Sequence, residues 1–176
     1  MIVLGYVGKH KGEGFRAWLG WALIRLGQIG YTWRAVTHTE ILIEGTPQDA
    51  TIASSSLVDG GVRTKPGVRL NPANWIAVYV PDSNLRSAAV SAKWFDVHKG
   101  RPYDWRGAPG SVLYGVGHRV GSWFCNEACG ASMHQVDPHK MPPAGFIAWC
   151  LDHNGSRLVT DEFFSGEPIS QIGSKG

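Results

Sequence analysis

Cys125 opens a helical pattern directly behind two bulky aromatics, in the run Trp123-Phe124-Cys125-Asn126-Glu127-Ala128-Cys129. A thiol in the first turn of a helix lies at the positive end of the macrodipole, beside backbone N–H groups that have no intrahelical partner. Both favour the thiolate, the nucleophilic form. Far upstream, Val36-Thr37-His38-Thr39-Glu40-Ile41-Leu42-Ile43 reads as a strand carrying one histidine. A cysteine with a histidine remote in sequence is the pattern of a nucleophile and its base in acyl transfer. His38 and Glu40 project to the same side of their strand, because strand side chains alternate. Glu40 is thus a candidate to orient the imidazole, although same-strand neighbours lie about 7 Å apart and need a side chain that bends back.

Other chemistry-bearing residues fit plainer roles. Cys129 lies one turn beyond Cys125, away from the helix end, and reads as a packing residue; Cys150, inside Phe146-Ile147-Ala148-Trp149-Cys150-Leu151, reads as core. Cys125, Cys129, His134 and His139 have a zinc-like order, but their spacing matches neither a finger nor a knuckle, and two of the ligands would share one helix. No metal is expected. Ser54-Ser55-Ser56 lacks the GxSxG elbow of a serine nucleophile and reads as a segment lining a site or an edge. His10, His98, His118, His134, His139 and His153 fall in loops or near helix ends and read as surface residues.

Elements of a globular chain must position the pair. The 176 residues carry 43% apolar and 18% charged side chains and a formal charge of +3. That length reads as one domain, able to bury roughly 70% of the unfolded surface. The charges are dispersed, with no basic run of the kind that tracks phosphates, so nucleic acid is not implied. Three cysteines form no disulfide pattern and fit a reducing compartment during synthesis. The start, Met1-Ile2-Val3-Leu4-Gly5-Tyr6, is too short an apolar run for a signal peptide, and Lys9, His10 and Lys11 follow it rather than precede it. The expectation is a protein cytoplasmic on synthesis, with no transmembrane segment.

Residues 1–8 are apolar and alternate poorly, as a first strand or an extended lead-in. After Gly12 and Gly14, residues Phe15, Trp18, Leu19, Ala22, Leu23 and Leu26 recur at helical spacing until Gly27 and Gly30. The spacing predicts packing through Phe15, Leu19 and Leu26, with Trp21 and Ile24 widening the stripe. The histidine strand spans 36–44. Thr51–Ser56 and Val62–Lys65 flank the turn Asp59-Gly60-Gly61, and Trp75–Val80 is a further strand ended by Pro81. Helices are predicted over 83–98, 124–135 and 143–153. Gly100, Pro102, Gly107, Pro109 and Gly110 mark a loop. The tail from about residue 165 is expected to fray. The sum is an α+β domain over 1–176, with a small antiparallel sheet and helices packed to one side.

Several segments, in order, resemble the permuted NlpC/P60 group of papain-like cysteine hydrolases, in particular its YiiX/YebB-like branch and phage-encoded relatives. Ala22-Leu23-Ile24-Arg25 precedes Tyr31 and the strand Thr37-His38-Thr39-Glu40-Ile41. Ser54-Ser55-Ser56-Leu57-Val58-Asp59-Gly60-Gly61-Val62-Arg63 resembles the family's turn ending in GGVR. Gly100-Arg101-Pro102-Tyr103-Asp104-Trp105 and Trp123-Phe124-Cys125-Asn126-Glu127 resemble its YD segment and its nucleophile turn.

The resemblance implies a circularly permuted papain-like fold, with a barrel-like sheet against the cysteine helix. It implies Cys125 as nucleophile and His38 as base, with no cofactor. The family's third polar residue sits on the strand after the histidine strand, which here reads Ala53-Ser54-Ser55-Ser56. Either Ser54 or Ser55 orients the imidazole more weakly, or Glu40 reaches in. Tyr103 and Trp123 are candidates for substrate contact, and Asp104 for a loop or capping role. The implied activity is amide cleavage through an acyl-enzyme, with a peptidoglycan peptide as first expectation and a virion-associated or wall-released protein as its setting. A lipid or acyl-amide substrate is one alternative. A weakly catalytic virion or structural module keeping the fold is another.

Overall fold

The computed structural model describes residues 1–8, 14–33, 35–105, 107 and 120–174. Six strands form one antiparallel sheet: β1 (Ile2–Tyr6), β2 (His38–Thr46), β3 (Asp49–Ser56), β4 (Gly61–Val68), β5 (Trp75–Tyr79) and β6 (Arg157–Leu158), in the order β4-β3-β2-β1-β5-β6. Tyr6 pairs with His38 and Leu4 with Glu40, so the histidine strand is held directly by an inner strand. Among the described residues the helices are α1 (Gly14–Gly27), α2 (Ala88–His98), α3 (Cys125–Ser132), α4 (Pro143–Leu151), α5 (Thr160–Phe164) and α6 (Ile169–Gly173), with a 3₁₀ turn at Pro138–Lys140.

Both faces of the sheet are covered, which corrects the expectation of helices on one side. Val3, Ile41, Ala53 and Val78 pack with Phe95 of α2, Ala128 and Cys129 of α3, and Phe146, Ile147 and Cys150 of α4. Ile2, Leu4, Leu42, Ile52 and Ala77 pack with Val159, Phe163 of α5 and Ile172 of α6. An inner strand buried on both faces has no solvent side, and that is why residues 2–4 are apolar without alternation.

The second cluster also corrects the frayed tail. Val159 donates its N–H to Ala77 O at 2.8 Å, and Arg157 donates to Glu162 at 2.6 Å and to Ile172 O at 2.8 Å. Burial of a side chain such as Phe163 or Ile172 is worth about 1.5–3 kcal/mol. Two five-residue helices are too short to show a 3.6-residue period, so their apolar residues carry no readable pattern.

Other boundaries shift for local reasons. α2 begins at Ala88 because Ser83 and Arg86 close a turn on each other and Ser87 caps the helix, accepting from Val90 N at 3.2 Å. α3 stops at Ser132, short of 135, and the chain then passes through left-handed backbone at His134 (φ 55). α1 does not pack as expected: Leu19 and Leu26 are exposed, and Trp18 with them. The side chain of Phe15 lies outside the described residues, as do Gly12, His10, His118, Pro109 and Gly110.

Candidate active site

Cys125 is the first residue of α3. The chain enters that helix through an extended Phe124, whose N–H donates to Glu127 Oε2 at 3.3 Å. The entry is fixed by a short ladder. Arg101 O accepts from Val62 N at 2.9 Å, and Gly60 O accepts from Tyr103 N at 3.2 Å. Trp123 N then donates to Pro102 O, and Asp104 N to Trp123 O, both at 3.0 Å. Segment 101–104 is thus stitched between the start of β4 and the residues leading into Cys125. Gly61 makes the approach possible: at φ +149°, a β-carbon there would lie 2.0 Å from Arg101 O.

His38, at the start of β2, has partners on two sides. Its Nε2 meets Glu40 Oε1 at 2.7 Å, and its ring lies close enough to the Cys125 thiol for the two groups to shift each other's charge. Glu40 is in turn gripped by Arg63 of β4, whose Nη1 and Nη2 donate to the two carboxylate oxygens at 2.6 Å each. Arg63 Nε donates to Asp59 Oδ2 at 2.9 Å, and Lys65 donates to the other Asp59 oxygen at 3.3 Å. One line of contacts therefore runs Asp59–Arg63–Glu40–His38–Cys125. Cys125 is 3% exposed and the His38 side chain 26%, so the imidazole is the solvent-side member of the pair.

The electrostatics follow from this line. Burial opposes charge on His38, but the Cys125 thiolate and the Glu40 carboxylate outweigh it and push the imidazole up to about 10. Burial also opposes charge on Cys125, yet the imidazolium and the backbone N–H groups of Thr39 and Asn126 hold the thiol below its ordinary value. Each charge thus supports the other, the thiolate favouring the imidazolium and the imidazolium the thiolate. Glu40 stays below the usual carboxylate range despite burial, chiefly through Arg63 and then His38. The other cysteines behave oppositely: burial drives Cys129 and Cys150 up, reinforced by Glu40 at Cys129 and only partly offset by Arg86 at Cys150.

The serines of β3 do not orient the imidazole. Ser54 Oγ donates to Thr39 O at 2.7 Å, and Ser55 Oγ donates to Trp123 O at 2.6 Å. They tie β3 to the histidine strand and to the entry of α3. Burial raises the Tyr103 phenol, and negative charge on Cys125 and then on Asp104 adds to it, which puts Tyr103 beside the thiol. The Trp123 indole is half-buried, stands edge-on to Trp94 (5.0 Å) and His98 (5.7 Å) of α2, and packs against the core. Asp104 has the local role expected of it, accepting from Gly107 N at 2.9 Å. Among the described residues, no group of three His, Cys, Asp or Glu is arranged to hold a metal.

Sequence reasoning assigned no role to Arg63 or Glu127. Arg63 stands in the GGVR segment, but a contact across an intervening strand leaves no periodic mark. Burial, against the Phe124 N–H and reinforced by Asp104, pushes the Glu127 carboxyl up to about 8. The S/T-x-x-E signature of a capping glutamate is missing here, because Phe124 stands at the cap. No family model, no curated protein and no solved structure matches the chain.

Proposed function

We propose that the protein is a thiol hydrolase that cleaves an amide bond through an acyl-enzyme, within a permuted papain-like, NlpC/P60-type fold. The observation that carries this reading is the coupling of Cys125 to His38, with Glu40 at 2.7 Å from the imidazole. A buried structural thiol is raised by its surroundings, as Cys129 is, whereas Cys125 is lowered.

In this reading the Cys125 thiolate attacks the carbonyl carbon, and the oxyanion faces the backbone N–H of Cys125 at the start of α3. His38 gives its proton to the leaving nitrogen as the C–N bond breaks. Water, deprotonated by His38, then attacks the thioester and releases the acid and the free thiolate. Glu40 holds the imidazole and stabilises its charged form, and Arg63 holds Glu40. Tyr103 borders the thiolate and shapes the site.

The substrate favoured by the resemblance is a peptidoglycan peptide. A lipid or acyl-amide substrate is the second reading, favoured by the apolar side chains exposed along α1. Incubation with wall-derived peptides and with fatty-acyl amides, followed by intact-mass spectrometry, tests both. The expected result is an acyl adduct on Cys125 with one of the two classes, absent in Cys125→Ala. No adduct and no product with either class overturns the hydrolase reading.

A further inference from the structure

We propose that α1 and the turn after it form a surface that lies on an anionic lipid bilayer. The inference does not depend on the hydrolase reading. A helix at the surface of a globular domain ordinarily turns polar residues to solvent. α1 does the reverse: Trp18 is 51% exposed, Leu19 40% and Leu26 64%, and the turn beyond adds Ile29 at 68% and Tyr31 at 41%. By helical geometry, positions 18, 19 and 26 fall within an arc of about 100°. The other side is half-buried through Trp21, Leu23 and Ile24. A helix apolar all round is one covered on both sides, here by the protein on one and by an apolar medium on the other.

Charge selects the medium. From Gly14 to Trp33 the sequence holds Arg16 and Arg25 and no Asp or Glu, and Lys9, Lys11 and Arg34 flank it. The Arg25 guanidinium lies over the Trp21 ring, 5.2 Å from its centroid. Position 25 is about 20° around the helix from Trp18, at the margin of the exposed arc. An arginine there reaches the phosphates while its neighbours enter the acyl boundary. Tryptophan and tyrosine beside leucine and isoleucine are the residues that settle at that boundary. The 14 residues of α1 span about 21 Å, short of the roughly 30 Å hydrocarbon core, so the helix lies along the surface rather than across it.

The face is also fixed in place. Gln28, fully buried, donates from Nε2 to Val36 O at 2.8 Å and accepts from Ala144 N at 2.7 Å. The end of α1 is thereby stapled to the chain entering β2 and to the first turn of α4.

Flotation of the full chain with phosphatidylcholine–phosphatidylglycerol vesicles, and with phosphatidylcholine alone, tests the proposal. The expected result is binding to the anionic vesicles, weaker without phosphatidylglycerol. The double variant Leu26→Glu/Ile29→Glu should bind at least about tenfold more weakly, since two apolar insertions are lost. Both positions are exposed, and an unchanged thermal transition verifies the fold. Wild-type protein that ignores both vesicle types, or binding untouched by the double variant, overturns the proposal. A wild-type dimer that the double variant converts to monomer, without vesicle binding, overturns it too and assigns the face to a second copy of the chain.

Discussion

Arg63 grips both carboxylate oxygens of Glu40 at 2.6 Å while one of those oxygens also meets His38 at 2.7 Å. β3 lies between the strands that carry Arg63 and Glu40, so the arginine reaches across a neighbour. Its register partner on β3 is Ser54, a small side chain that leaves room for the crossing.

Glu40 is 2% exposed, and breaking a buried pair leaves an uncompensated charge. Arg63→Met is predicted to cost about 3–5 kcal/mol in urea unfolding. Arg63→Lys should recover only part of that, because an ammonium cannot donate in a fork. Equal stability of the Met variant and wild type would show that the pair carries nothing.

Ser54→Leu should act on the same contact from outside it. The added side chain fills the crossing point, so both stability and the reactivity of Cys125 should fall, whereas Ser54→Ala should lose the Thr39 hydrogen bond and the weaker contact from the Cys129 thiol, about 1 kcal/mol. Thiol alkylation rates in the two variants separate the effects; equal rates would place the arginine's path elsewhere.

The pH profile of Cys125 alkylation follows from the signs of the shifts. The thiol is lowered and the imidazole raised to about 10 from 6.5. The rate should therefore begin to rise below the free thiol value of about 8.5 and stay flat until the imidazolium deprotonates near 10. The stability that His38 contributes is full below 6.5 and is lost as pH rises through about 10. In His38→Ala the inflection should move above about 8.5, since burial then acts against the thiolate with no imidazolium beside it. Glu40→Gln should give an intermediate profile, and superimposable curves for all three proteins would dissolve the ion pair.

Glu127 predicts a different pH dependence. Its carboxyl is raised to about 8 from 4.5, so the stability it contributes is full below 4.5 and is lost as pH rises through about 8. Glu127→Gln keeps an acceptor for Phe124 N without the charge. The variant should gain thermal stability relative to wild type as pH rises from 5 to 8, read by melting temperature across that range. A constant difference would mean that the carboxyl is not raised.

The strands and the second half of the site's chemistry were readable because they rest on local pattern: β-rich runs, the Asp59-Gly60-Gly61 turn, and a cysteine at a helix start. Glu40 was readable only as one option, since alternation puts it on the side of His38 but does not say whether its side chain bends back. Arg63 and the burial of the tail were not readable, because a crossing over β3 and the docking of α5 and α6 are tertiary events. α1 misled through abundance: with apolar residues nearly all round, its sequence names no single buried face, and the expected Leu19/Leu26 face is the exposed one.

The two halves of the site are built from contacts of very different range along the chain. Glu40 and Arg63 are only 23 residues apart, in a meander of adjacent strands, so the base and its supports can form through short-range pairing. The thiol arrives only when a distant helix docks, as the 90-residue separation of the Thr39–Cys129 contact illustrates. Until then Cys125 has no imidazolium beside it and remains an ordinary thiol. A chain that has folded its meander but not docked α3 is thus chemically quiet, and the reactive sulfur appears only with the completed tertiary structure.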